Sequence, residues 1–93
     1  MYDRHIDTFL AAARAGSFSK AAELLYISPS AVLQQVAALE QSLSVRLFSR
    51  GNRGITLTPA GAYFFQEAQA LVQRTEEVRR ELKRLDGQTD RCI

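Results

Sequence analysis

The sequence predicts a mainly α-helical fold with one short β-hairpin placed before its last helix. Three observations carry that reading. Apolar residues recur at helical spacing near the start of the chain. A hydroxyl residue followed by proline, a pair suited to opening a helix, occurs twice, as Ser28-Pro29 and Thr58-Pro59. Between the helices so opened, two short alternating segments flank Gly51-Asn52-Arg53-Gly54, a run of strong turn composition.

The first helix is expected over about residues 3–14, where Ile6, Phe9, Leu10 and Ala13 stand at i, i+3, i+4 and i+7. That is the spacing of one buried helical stripe. Gly16 can stop it by adopting positive φ. The second helix covers about residues 18–25, with Ala21, Ala22 and Leu25 apolar, and Tyr26-Ile27-Ser28 is a tight turn. The Ser28 hydroxyl can accept from a free N–H of the next helix, and Pro29 at the first helical position lacks an N–H that would be unpaired anyway. The third helix then runs to about residue 42, with Val32, Val36 and Leu39 as its inward stripe. Helix, short turn and capped helix make a helix-turn-helix over about residues 18–37, an arrangement whose second helix enters the DNA major groove.

Residues 45–49 alternate and predict a first strand; Ile55-Thr56-Leu57 predicts the return strand, giving a wing beside the helix-turn-helix. After Thr58-Pro59 only Gly61 interrupts good helix formers before Leu85, so a helix roughly 40 Å long is expected at about 1.5 Å per residue. Phe64, Ala68, Leu71, Thr75, Val78, Leu82 and Leu85 step along it by 4, 3, 4, 3, 4 and 3. That is a coiled-coil seam with Thr75 as its polar member. Asp86-Gly87 is expected to end it. The organisation predicted is a winged helix-turn-helix over residues 1–58, a linker and dimerisation helix over 59–86, and an unstructured tail over 87–93.

Composition narrows the functional classes. At 93 residues the chain is one small domain with an extension, and a core of that size is marginal alone. No apolar run reaches membrane-spanning length, and Asp3, Arg4 and Asp7 leave no room for an apolar leader at the start. Cys92 is the only cysteine, which excludes an internal disulfide framework and a cysteine-based zinc site. A soluble cytoplasmic protein is expected. No glycine-rich phosphate loop, paired-carboxylate constellation or Cys/His pair at plausible spacing is present, and His5 has no ligand set around it; no enzyme chemistry, cofactor or metal is expected. Net charge is only +2, but residues 1–58 hold six basic against four acidic groups, while residues 59–93 balance at six each. Beyond Glu40 in the first part, the charges are Arg46, Arg50 and Arg53: a local basic patch.

Phe9, Ala15-Gly16-Ser17-Phe18, Ala21-Ala22, Leu25, Ser28, Ala31, Gln35, Leu39-Glu40, Val45-Arg46-Leu47-Phe48, Arg50 and Leu57-Thr58-Pro59-Ala60-Gly61 stand together in a recognisable order and spacing. Through them the chain resembles the N-terminal part of the LysR-type transcriptional regulators of bacteria, over about residues 1–86. The resemblance implies a sequence-specific regulator of transcription that binds double-stranded DNA. Two long helices would pack antiparallel in a homodimer that spans an interrupted palindrome. Family members are typically longer, with an α/β domain that binds a small-molecule effector. The chain stops where that domain would begin, so a DNA-binding fragment is expected, with any effector acting only through the missing C-terminal domain. A rival reading makes the coiled-coil helix the functional surface of a protein-interaction module.

On the DNA reading, Ser28, Pro29, Ser30, Leu33 and Gln34 form the exposed start of the recognition helix. Gln34 can pair bidentately with adenine N6 and N7, and Ser30 with a base edge or phosphate. Gln35 has two readings, one toward the DNA and one a hydrogen bond along the domain surface. The family commonly has a small hydroxyl residue where this chain has Leu33. Since Val32, Val36 and Leu39 already face inward and Leu33 lies about 100° from Val32, Leu33 is assigned to the groove, where it would meet thymine methyls. The alternative is a leucine packed into the core. Arg53 resembles the family's wing-tip arginine, suited to a narrow A·T-rich minor groove. Arg50 and Lys20 read as phosphate contacts that set register, with pairing to an acid within the domain as the alternative for Arg50.

Overall fold

A computed structural model of the chain describes residues 4–51 and 54–89. Its elements are α1 (Arg4–Ala15), α2 (Phe18–Leu25), α3 (Pro29–Leu43), β1 (Phe48–Gly51), β2 (Gly54–Leu57) and α4 (Pro59–Thr89). The mainly α architecture with a two-stranded wing is the one the sequence predicts.

Local hydrogen bonds explain the helix boundaries. Ser28 Oγ accepts from the Ala31 N–H at 3.1 Å, and Ser17 Oγ caps α2 by accepting from the Lys20 N–H at 3.3 Å. Gly16 closes α1 at φ +69°. Two non-glycine residues do the same for α2 and α3. Tyr26 (φ 59°) and Ser44 (φ 61°) take the left-handed conformation, and the following N–H groups of Ile27 and Val45 reach back to the Ala22 and Glu40 carbonyls at 3.1 Å each.

α1 is the centre of the core. Ile6, Phe9 and Leu10 are buried as predicted, but Thr8 and Ala12 are buried too and Ala13 is only half-buried. The stripe is wide because α1 contacts α2, α3 and α4. The Phe9 ring lies 5.3 Å from that of Phe48 and 5.0 Å from that of Phe64, and Phe48 in turn meets Phe18 edge-on at 5.5 Å. Three helices and the wing thus share one aromatic cluster, an arrangement that adds directional stabilisation to area burial.

The wing pairs Phe48 with Leu57, Ser49 with Thr56, Arg50 with Ile55 and Gly51 with Gly54, all antiparallel. β1 therefore begins three residues later than the predicted start at Val45. The backbone of residues 45–47 is already engaged: the Val45 N–H closes α3, the Leu47 N–H donates to the Glu40 carboxylate at 2.7 Å, and the Leu47 carbonyl accepts from the Thr58 N–H at 3.0 Å. The wing also docks on the α1–α2 turn, where the Ile55 N–H donates to the Gly16 carbonyl at 3.3 Å. Gly54 sits there at φ +117°, and a Cβ on it would lie 2.6 Å from the Gly16 oxygen.

α4 opens as its sequence signals: the Thr58 hydroxyl donates to the Arg46 carbonyl at 2.6 Å and accepts from the Gly61 N–H at 2.9 Å. Its length corrects the sequence in two respects. The helix continues through Asp86-Gly87 to Thr89, so residues 87–89 are not an unstructured tail; residues 90–93 lie outside the described ones. A single glycine in a helix costs only about 1 kcal/mol relative to alanine, too little to stop one without a packing reason. Second, of the residues predicted on a seam between subunits, Ala68 lies in the core of its own chain with no exposure at all, and half-buried Phe64 packs against that core. The exposed part of the stripe begins at Leu71. Leu71, Leu82 and Leu85 are exposed and Val78 is half-buried, while the Thr75 hydroxyl turns inward to the Leu71 carbonyl at 2.9 Å. On the same stretch, a hydrogen bond from Arg84 holds the Glu81 carboxyl below the usual glutamate range. α4 projects past the domain, which gives the molecule extents of 58 × 26 × 20 Å.

Candidate nucleic-acid interface

α3 has two faces. Val32, Val36 and Leu39 are buried against the core. Ser28, Pro29, Ser30 and Gln34 are exposed at its N-terminal end, and Leu33 is half-buried without joining the core cluster formed by the described residues. Ser28 uses an oxygen lone pair for the cap and keeps its hydroxyl proton available to donate. The helix start carries hydrogen-bonding groups and apolar groups side by side on a surface that the described residues leave uncovered.

Gln35 points elsewhere. Its Oε1 accepts a hydrogen bond from the hydroxyl of Thr8, a buried residue of α1. The bond ties the start of α3 to the central helix, and it spans 27 positions of sequence rather than being local.

Arg50 lies on β1, exposed, with its guanidinium carbon 5.4 Å from the Phe18 ring centroid. Stacking on an aromatic face restrains the side chain while leaving the edge N–H groups free for an anion. Lys20 is exposed on α2. Arg53 falls on residues 52–53, outside the described ones.

Glu40 is the residue that the sequence reading passes over. Its side chain is only 16% exposed. Its Oε2 accepts from the N–H groups of Leu47 at 2.7 Å and Phe48 at 3.2 Å, and faces Arg46 Nε at 3.8 Å. One carboxylate on α3 thereby fixes where the wing leaves the helix, and with it the position of Arg50. The Leu39-Glu40 pair within the resemblance was the only signal for it. Between this end of α3 and the wing lies an open concavity of about 540 Å³, bordered by Glu40, Arg46 and Arg50.

Among the described residues no group of three or more His, Cys, Asp or Glu side chains could hold a metal ion, and no helix is long and apolar enough to cross a membrane.

The sequence pattern of the bacterial regulatory helix-turn-helix proteins of the lysR family matches residues 4–62. An uncharacterised HTH-type transcriptional regulator of the ibpB–leuC intergenic region of Azotobacter vinelandii is 43% identical over 82 residues, 88% of this chain and 57% of that one. The HTH-type transcriptional regulator TfdS of Cupriavidus pinatubonensis is 46% identical over 70 residues, 75% of this chain and 24% of that one. The chain thus spans between a quarter and about three fifths of the length of these two relatives. Two solved structures superpose closely: a CbnR DBD–DNA complex (TM-score 0.86, 33% identity, covering 91% of this chain and 98% of that one) and a complex of the BenM DBD with benA site 1 DNA (TM-score 0.86, 34% identity, covering 91% and 96%).

Proposed function

The chain belongs to the lysR family of bacterial regulatory helix-turn-helix proteins, and on that footing we propose that it binds double-stranded DNA sequence-specifically to regulate transcription. One observation carries the reading: the N-terminal half of α3 holds Pro29, Ser30 and Gln34 exposed, while its inward face and Glu40 lock the helix into the domain. The close likeness to two domains crystallised on DNA supports it.

In this reading α3 lies in the major groove. Gln34 reads an adenine edge, and Ser28 and Ser30 donate to a base edge or phosphate. Lys20 and the ring-stacked Arg50 hold the phosphate backbone, which sets register without reading sequence. Arg53, which lies between β1 and β2 in sequence, is assigned to the minor groove by its resemblance to the family's wing-tip arginine. The stripe of exposed Leu71, Leu82 and Leu85 with half-buried Val78 joins two copies, so that two α3 helices address two half-sites of an interrupted palindrome. Its place is the cytoplasm, where bacterial DNA is found.

A mobility shift on mixed genomic DNA across a salt series tests the reading, because phosphate neutralisation makes affinity fall steeply with salt. Arg50→Ala should weaken binding on all sequences and flatten the salt slope by about one unit, whereas Gln34→Ala should cost roughly 1–3 kcal/mol on the preferred site and relax one base position. A protein that shifts no DNA at low salt would refute the proposal and leave the interaction-module reading in its place.

A further inference from the structure

We propose that Leu33, flanked by Pro29, reads the methyl group of a thymine, so that this chain selects T at one position of each half-site by apolar contact alone. The inference rests on the DNA-binding reading above and deepens it. Side chains four apart stand one above the other on a helix. Pro29 and Leu33 therefore form one row at the start of α3, and Ser30 and Gln34 form the row beside it. The core has no claim on the apolar row. Val32, Val36 and Leu39 fill the inward face at 0, 3 and 5% exposure, whereas Pro29 is exposed and Leu33 lies outside the core cluster.

A leucine neither donates nor accepts a hydrogen bond, and proline in a helix offers no N–H. Set against a base edge, the pair would exclude water without replacing its hydrogen bonds. The major-groove edge of DNA carries one apolar group, the C5 methyl of thymine. Opposite it the pair gains buried area and leaves no polar atom unpaired; opposite the polar atoms of a C·G pair it does the reverse. The neighbouring Ser30–Gln34 row addresses the adjacent base by hydrogen bonding. The recognition surface is thus split lengthwise into an apolar and a polar reader.

Removing only the methyl group tests this. A duplex is selected from a random DNA pool with the whole chain, and each of its thymines is then replaced singly by deoxyuridine. Losing one buried methyl is expected to weaken binding about fourfold at one thymine in each half-site, with the other thymines nearly neutral. Leu33→Ala should bind the thymine and deoxyuridine duplexes equally at that position and keep its preference at the base read by Gln34. Its melting temperature should stay close to the parent's, since Leu33 is not a core residue. Indifference of the parent protein to deoxyuridine at every thymine would overturn the inference, with no variant needed. So would a thymine preference that survives in Leu33→Ala, or a melting loss of the size expected for a core leucine. Failure to bind any duplex would instead fall on the proposed function, and would take this inference with it.

Discussion

Truncating Glu40 should release the wing from α3, and the structure sets the size of the effect. Two backbone donors, the N–H groups of Leu47 and Phe48, end on its Oε2 at 2.7 and 3.2 Å. Both residues are buried, at 0 and 3% exposure. In Glu40→Ala neither donor keeps its partner. A buried donor left unpaired costs about 1–3 kcal/mol, so the two together should cost roughly 2–6 kcal/mol. The facing Arg46 is 72% exposed and adds little. At about 4–8 °C per kcal/mol for a domain of this size, the melting temperature should fall by at least about 8 °C. Glu40→Gln separates charge from geometry. Both bonds end on one oxygen, which the amide oxygen can replace, so only the charge assistance is lost and the cost should be roughly half as large. Urea denaturation of the three proteins at one protomer concentration measures these differences, and amide exchange at Leu47 and Phe48 locates them. A loss below about 0.5 kcal/mol in Glu40→Ala, the range of an ordinary surface change, would refute the anchoring role.

Gly61→Ala should destabilise the junction of wing and α4: a Cβ there would lie 2.0 Å from the Leu47 oxygen, a backbone atom that cannot step aside. Its cost should match other overpacked sites, about 1–3 kcal/mol, read as a lower urea midpoint with unchanged helix content. Leu71→Asp together with Leu82→Asp should produce monomers by sedimentation with the domain intact, because these side chains are 48 and 58% exposed in the single chain. A parent protein that is already monomeric at about tens of micromolar, within ordinary interface affinities, would remove the dimer from the proposal.

The helix-turn-helix was legible because its signals are local. Ser28 caps α3 through a bond three residues long, Pro29 occupies a position that needs no donor, and the Val32–Val36–Leu39 stripe follows from helical period alone. The wing was legible in kind and not in register. Alternation marks residues 45–49 as extended, but whether Leu47 pairs with a strand depends on partners seven and eleven residues away, Glu40 and Thr58, that have already taken its N–H and carbonyl. Heptad spacing likewise ordered the apolar face of α4 without naming its partner: Phe64 and Ala68 turned to their own core, and Leu71, Leu82 and Leu85 were left outside. The same holds for polar groups. Nothing in the spacing of Thr8, Gln35 and Glu40 says that one bond joins α1 to α3 and another pair ties α3 to the wing. By itself the sequence determined what each segment is, since capping, turn chemistry and period act within one or two helical turns. Only the tertiary structure decided which segment meets which, because a hydrogen bond or a buried ring is committed once, to whichever group the fold brings nearest.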